Sequence, residues 1–392
     1  MAAGCPSPIA LKSDRIVGIP KEIKLLEKRV GLTPSAVRKL TARGIRVLVE
    51  QDAGLLSGFS DSEYRQSGAG IAPDARHLYE DANLIQKVKE PLEAEFGFIR
   101  PGHLFFCFLH LASPENSKLG EALVKSGCTA IGFETVESEG KLPILAPMSR
   151  IAGGLAAAYA AYFQNLPLAQ TLSPEGRKQG EGAFSYPSGF HEGLERVAGF
   201  YPDFSGKLSI GKTVIFGGGI AGASALTAVL QMKGEAAIVE SGEERRKYLK
   251  NFTSFVFASD EIPETVLAGA DILIGCVHAR GRQAIHVFDE AKLLKISAAR
   301  KKIILDVAID QGGNFPEARS TTYRSPLYQD SWGNLRFAVP NIPSFCGRAA
   351  SEAISEAAFP YTEALALNPE EAFRRFPELE RGINVSNGQM RL

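Results

Sequence analysis

Lys212-Thr-Val-Ile-Phe-Gly-Gly-Gly-Ile-Ala-Gly222 is the stretch that decides the fold. A short apolar strand runs into Gly217-x-Gly219-x-x-Gly222, and a helix follows. That order makes a turn in which a pyrophosphate can sit on a helix N-terminus, where backbone N–H groups and the helix dipole favour negative charge. Gly217 supplies the tight turn, Gly219 lets the backbone approach the phosphates, and Gly222 lets the helix pack on the strand. Ile220 and Ala221 complete the turn. The glycine pattern alone is weak, because an ordinary Gly-rich turn shows the same letters. A second apolar strand strengthens it. Ala236-Ala-Ile-Val-Glu240 ends in a carboxylate about 20 residues beyond the glycines, where an acid can accept the hydroxyls of an adenosine ribose. The expectation is a dinucleotide-binding domain.

At 392 residues the chain is long enough for two or three domains with their own cores. Its 45% apolar and 22% charged content is ordinary for globular proteins. The 44 Lys and Arg balance the 44 Asp and Glu, which argues against a nucleic-acid or membrane-surface partner. The uncharged run Ile151 to Phe163 is mostly Ala and Gly, too short and too weakly apolar to span a bilayer. Met1 to Lys12 shows no targeting pattern and reads as a loose tail on a cytoplasmic protein. The five cysteines (Cys5, Cys107, Cys128, Cys276, Cys346) are scattered, with no CxxC, and the six histidines are dispersed. Neither a disulfide framework nor a metal site is expected.

Working outward from the glycine loop, strands and helices alternate in both directions. Strands are expected at 15–19, 45–50, 83–88, 104–109 and 129–133, and again at 236–240, 253–257, 271–276, 302–307 and 335–339. Thr33-Pro34 reads as an N-cap with Pro at N1, and Gly44 as the stop of that helix. Ser60-x-x-Glu63 is a capping box. Ser149 is expected to cap a long Ala- and Gly-rich helix running to about Gln164. Residues 167–207 mix Gly, Pro, charges and aromatics and read as a long irregular excursion. Ala349 to Leu367 reads as a helix, and the chain as ending in a polar tail. The alternation implies an α/β protein with parallel sheets covered on both faces.

Eight segments together resemble the alanine dehydrogenases and the related alpha subunit of proton-translocating transhydrogenase. They are Gly18-Ile-Pro-Lys-Glu-Ile23, Arg29-Val-Gly-Leu-Thr-Pro34, Lys87-Val-Lys-Glu-Pro91, Phe108-Leu-His-Leu-Ala112, Leu145-Ala-Pro-Met-Ser149, Gly217-Gly-Gly-Ile-Ala-Gly222, Asp306-Val-Ala-Ile-Asp-Gln-Gly-Gly313 and Asn341-Ile-Pro343. The resemblance runs from about Arg15 to Met390, with 167–207 as its main interruption. His-Leu-Ala and Asp-Gln-Gly-Gly look like the alanine dehydrogenase branch. The implied architecture is two Rossmann-like parallel-sheet domains. The dinucleotide-binding domain, 145–346, is inserted into a discontinuous substrate domain, 1–144 and 347–392.

Each candidate site residue has a bland reading beside this one. Arg29 lies in a charged run and alone reads as a solvated face residue. The resemblance makes it the ligand of a substrate carboxylate, a task suited to a guanidinium fork. Lys89 ends an apolar strand, and the resemblance implies a second carboxylate or carbonyl ligand. His110 ends the apolar run Leu104 to Leu109. A lone histidine there is often a satisfied core residue, but a strand end and the His-Leu-Ala match favour a proton relay. Asp310 follows a buried strand and reads as a turn aspartate. The resemblance puts it beside the nicotinamide and the substrate amine, with Asp306 structural. Ser149, Asn341 and Ile342 would contact the nicotinamide half of the cofactor. Glu240 would repel a 2′-phosphate, so NAD is expected, although Arg245 and Arg246 close behind work against that preference.

The implied activity is NAD-dependent oxidative deamination of a small L-amino acid, alanine-like, to its 2-oxo acid and ammonia, or the reverse. The implied partners are small molecules and further copies of the chain in a homo-oligomer, with no nucleic acid and no membrane. The chain departs from the family pattern in three places: Met148-Ser-Arg-Ile-Ala-Gly-Gly154, Arg280-Gly-Arg-Gln-Ala-Ile285 and Ile342-Pro-Ser-Phe-Cys-Gly347. These leave the clamp and acid–base residues intact but bear on the substrate side chain. Two alternatives stay open. One is an opine- or saccharopine-type reductase joining a 2-oxo acid to an amino acid. The other is a nucleotide-binding sensor without turnover.

Overall fold

The computed structural model describes residues 15–165, 209–278 and 283–391. The expected excursion at 167–207 and the N-terminal tail lie outside these residues, as do residues 280–282 of the departing loop. The chain divides into two compact units, Met1–Met148 with Ser344–Leu392, and Ser149–Pro343.

In the first unit six parallel strands succeed one another along the chain: β1 (Ile16–Ile19), β2 (Arg46–Glu50), β3 (Gly70–Ala72), β4 (Leu84–Gln86), β5 (Leu104–Cys107) and β6 (Thr129–Gly132). Their order in the sheet is β3-β2-β1-β4-β5-β6. The order reverses between β1 and β4, the doubly wound pattern that opens a crevice at the carboxyl ends of the strands. β4, β5 and β6 are buried at every residue. Helices on both faces of a parallel sheet demand that, which is why β5 reads as an unbroken apolar run.

The second unit repeats the plan. Its strands are β7 (Thr213–Phe216), β8 (Ala236–Val239), β9 (Val256–Phe257), β10 (Ile272–Gly275), β11 (Ile303–Asp306), β12 (Leu327–Gln329) and β13 (Leu335–Phe337). The sheet order is β12-β13-β11-β10-β7-β8-β9, and among these described strands only β12 runs antiparallel, against β13. The order reverses between β7 and β10, directly above the glycine loop that follows β7.

Three expectations need correction. The chain end is not a polar tail. Ile383–Ser386 forms β14, antiparallel to β6, and Gln389–Met390 forms β15. Asn384 and Ser386 are buried, and Asn384 Nδ2 donates to Thr135 Oγ1 at 3.0 Å. Two polar residues that the fold buries hid a strand that covers the edge of the sheet. Ser149 is not a cap either, because the helix Leu145–Gln164 starts one turn earlier. Pro147 falls in that first turn, where a missing N–H costs no helical bond. Finally, the expected strand 104–109 leaves the ladder after Cys107, so Phe108 to His110 form a strand-end loop. The capping box at Ser60 is present, with Ser60 Oγ accepting from Glu63 N at 3.3 Å and Glu63 Oε2 from Ser60 N at 2.7 Å.

His103, at the foot of β5, is buried against Tyr79 and Phe105, with Nε2 2.9 Å from the Tyr79 carbonyl oxygen. Burial lowers its pKa to about 4. The folded state thus keeps this ring neutral while the unfolded chain, with an ordinary histidine pKa, takes up a proton first. Stability is therefore lost as pH falls from about 6.5 to about 4, by about 3 kcal/mol from this residue. Urea unfolding across that window should show wild type losing about that much more stability than His103→Gln. Parallel curves would remove His103 from the acid response.

Candidate active site

Three of the four proposed substrate and acid–base residues follow strands of the first unit: Arg29 after β1, Lys89 after β4 and His110 after β5. Arg29 is buried, and its guanidinium lies edge-on to Glu27. Nε and Nη2 donate to the two Glu27 oxygens at 2.7 and 2.6 Å, and Nη1 donates to Met148 Sδ at 3.2 Å. Glu27 was not singled out in the sequence. A carboxylate two residues before a buried arginine is the signal that could have found it, because the pair fixes the plane of the fork.

Lys89 is buried, and its Nζ lies 3.1 Å from His110 Nε2. An ammonium has only donors, so Nε2 accepts and the neutral ring carries its proton on Nδ1. The electrostatics agree. Burial first, then Lys89, Lys24 and Arg29, hold the His110 pKa well below the usual histidine value. The ring stacks on Phe108, with centroids 5.6 Å apart and planes 8° from parallel. His110 also adopts φ +48°, a left-handed backbone that costs a side-chain-bearing residue on the order of 1–3 kcal/mol.

The second unit holds the glycine loop, after β7. Gly217 has φ +91°, and a Cβ there would meet the Cys276 carbonyl oxygen at 2.7 Å. A Cβ on Gly222 would meet the Gly217 carbonyl oxygen at 1.7 Å, so the turn closes only around glycine. Gly219 is the N-cap of the helix Ile220–Gln231 and makes no side-chain cap. Nothing lies within 4 Å of where its Cβ would stand. The N–H groups that open the helix, at Ile220 and Ala221, are thus approachable by an anion. The long helix Leu145–Gln164 crosses this one closely. A Cβ on Gly153 would meet the Ala221 carbonyl oxygen at 1.9 Å, and Ser224 Oγ donates to the Arg150 carbonyl at 2.7 Å.

Glu240 ends β8 facing the loop. Its Oε2 accepts from Gly218 N at 2.7 Å and its Oε1 from Gly242 N at 2.7 Å. Arg245 Nε donates to the Gly218 carbonyl at 2.5 Å, so acid and base hold the two successive peptide groups that flank Gly218. These residues fit a dinucleotide: the space in front of Gly219 is open, and a carboxylate stands beside the loop.

Asp310 lies in the short 3-10 turn Ile309–Gln311 after β11, exposed. Asp306 behind it is buried. Its Oδ2 accepts from Asn314 N at 2.6 Å, and desolvation raises its pKa to about 6. Asn314 in turn bonds both backbone groups of Val277 at 2.9 Å. Asn341 has φ +56°, and the carbonyl of buried Ile342 accepts from Tyr323 OH at 3.0 Å. Ser149 is half-buried on the long helix. Among the described residues no cluster of His, Cys, Asp and Glu could hold a metal, and no helix is long and apolar enough to cross a membrane.

The loop geometry sets a prediction. Gly222→Ala must push the Gly217 carbonyl aside, so dinucleotide affinity should fall at least about tenfold, an increment of about 1.4 kcal/mol. Fluorescence titration with NADH checks it, and unchanged affinity would show that the loop does not hold the pyrophosphate.

Known proteins are similar to this chain along nearly its whole length. Residues 18–152 match the alanine dehydrogenase/PNT N-terminal domain, and residues 193–392 match the alanine dehydrogenase/PNT C-terminal domain. The chain is 33% identical over 383 residues to the alanine dehydrogenase of Methanococcus maripaludis, covering 96% of this chain and 94% of that one. It is 34% identical over 384 residues to the alanine dehydrogenase of Bacillus subtilis, covering 96% and 92%. A solved L-alanine dehydrogenase is 34% identical and superposes with a TM-score of 0.79 over 96% of each chain. Two doubly wound units, a glycine loop at the second one's reversal point and matches across nearly the whole chain place it in the alanine dehydrogenase/PNT family.

Proposed function

We propose that the chain is an NAD-dependent dehydrogenase of a small L-amino acid, alanine-like, interconverting that amino acid with its 2-oxo acid and ammonia. The observation that carries the reading is the Lys89 Nζ to His110 Nε2 contact of 3.1 Å at the carboxyl ends of adjacent strands. It pairs a cation suited to a carboxylate or carbonyl with a neutral imidazole whose lone pair can take a proton. NAD, when bound, supplies the acceptor for the hydride that leaves the substrate Cα.

The chain's own residues do the rest. Arg29 holds the substrate carboxylate, with Glu27 fixing the guanidinium plane so that little rotamer freedom is lost on binding. Lys89 is the second carboxylate or carbonyl ligand. His110 takes and returns the proton at Nε2 as the oxygen and nitrogen substituents exchange, and Asp310 handles the proton at the substrate amine. Ser149, Gly217, Gly219, Ile220, Ala221, Gly222, Asn341 and Ile342 hold the cofactor, with Glu240 on the adenosine ribose. Glu240 bonds two backbone N–H groups, yet a carboxylate accepts more bonds than these two. The unit formed by both chain ends is the substrate domain and the other is the nucleotide domain. The working assembly is a homo-oligomer, on family membership alone.

The test is NADH oxidation with a panel of 2-oxo acids, each offered with ammonia and with free amino acids. Pyruvate with ammonia should turn over. Turnover only with an amino acid as amine would replace this reading by an opine- or saccharopine-type reductase, and NADH binding without turnover would replace it by a sensor. His110→Ala should lower kcat by roughly 10²–10⁴-fold with NADH affinity kept. Arg29→Lys trades the fork for a point charge, so the KM for the oxo acid should rise by about tenfold. Wild-type constants in either variant would remove that residue from its role.

A further inference from the structure

We infer that Glu134 is a positioning residue: with the Asn116 amide it fixes the left-handed backbone of His110 that carries the imidazole to Lys89. The inference rests on the dehydrogenase reading above, in which His110 moves the proton.

A side-chain-bearing residue at φ +48° is uncommon, and such a conformation persists where its surroundings over-determine it. Here they do so from both sides. Glu134 Oε1 accepts from His110 N at 2.6 Å, and both Glu134 oxygens accept from Leu109 N, at 3.1 and 3.2 Å. On the carbonyl side Asn116 Nδ2 donates to Leu109 O and His110 O, each at 3.2 Å, and Ser113 N donates to His110 O at 3.0 Å.

The topology explains why a side chain is needed. β5 and β6 pair in parallel as far as Cys107 and Gly132, and Phe133 N still reaches Cys107 O at 2.8 Å. Beyond that the two chains part. The Glu134 carboxylate stands in for the strand partner that Leu109 and His110 no longer have. It is a half-buried carboxylate whose pKa desolvation raises, while the His110 and Leu109 N–H groups and then Lys89 favour its ionised form. A turn that served only to reverse the chain would take glycine at position 110 and need no carboxylate beside it. A histidine held there by a carboxylate and an amide serves the direction of the ring.

The test uses the full chain with Glu134→Gln, Glu134→Ala and Asn116→Ala. For each, the NADH Kd, the kcat and KM with the oxo acid, and the Cα chemical shift of 13C-labelled His110 are measured. Glu134→Gln keeps an oxygen for the His110 N–H and should hold kcat within about tenfold. Glu134→Ala should lose about 100-fold in kcat, the scale of a misplacement near 1 Å, with KM and NADH Kd within about twofold. The His110 Cα shift should leave its left-handed position in the alanine variant and stay in the glutamine variant. Asn116→Ala should shift His110 in the same direction as Glu134→Ala, by less. Wild-type kcat and an unmoved His110 signal in Glu134→Ala would overturn the inference. If that variant does not fold, an unmoved signal and unchanged kcat in Asn116→Ala would overturn it. The histidine signal needs no turnover. If wild type turns over no oxo acid, the dehydrogenase reading falls, while the signal still tests the clamp itself.

Discussion

Lys87 is fully buried on the loop just past β4, between two carboxylates, and the first unit is arranged around it. Its Nζ lies 2.7 Å from Glu95 and 3.7 Å from Glu22, and Tyr79 OH donates to Glu95 at 2.9 Å. Glu22 Oε1 also accepts from Val88 N at 2.6 Å and Lys89 N at 3.4 Å. The residues after β1 are thereby tied to those after β4 where the strand order reverses, one residue before Lys89. One lysine cannot satisfy two carboxylates equally. Glu95 has the short contact, while desolvation raises the Glu22 pKa to about 7 in spite of Lys87. Buried ions on this scale contribute little net stability, and their gain is in fixing one arrangement of the polar groups.

The same economy of charge runs through the site. Arg29, Lys89 and Lys24 bring positive charge to one rim, and Glu27, Glu90 and Glu134 answer it. The excess field falls on His110, which stays neutral and presents a lone pair. A rim built this way suits an anionic ligand beside an imidazole held in its neutral form. The nucleotide loop solves a different problem by steric means. Glycines remove the Cβ atoms that would collide with carbonyls, and Glu240 and Arg245 hold the N–H and the carbonyl of Gly218.

Local rules read from the sequence carried some elements and missed others for identifiable reasons. The Ser60 capping box depends on residues three apart, and it formed as spelled. The runs at β5 and β10 are apolar because both faces are covered, and they stood out. β14 did not, since Asn384 and Ser386 are polar by type and only the fold buries them, with Asn384 Nδ2 donating to Thr135. Ser149 has the chemistry of a cap but lies inside its helix, because the preceding turn around Pro147 packs as helix too.

By itself the sequence determined the alternation of strands and helices, the glycine loop, the acid at the end of β8 and the positions of Arg29, Lys89, His110 and Asp310. Each of these depends on residue type and spacing along a few turns of chain. Only the tertiary structure decided that Lys89 meets His110 and that Glu134 clamps the histidine backbone. Those contacts join strands that are neighbours in the sheet but separated in the chain. Their partners are set by strand order and by where each ladder stops, and no local pattern encodes either.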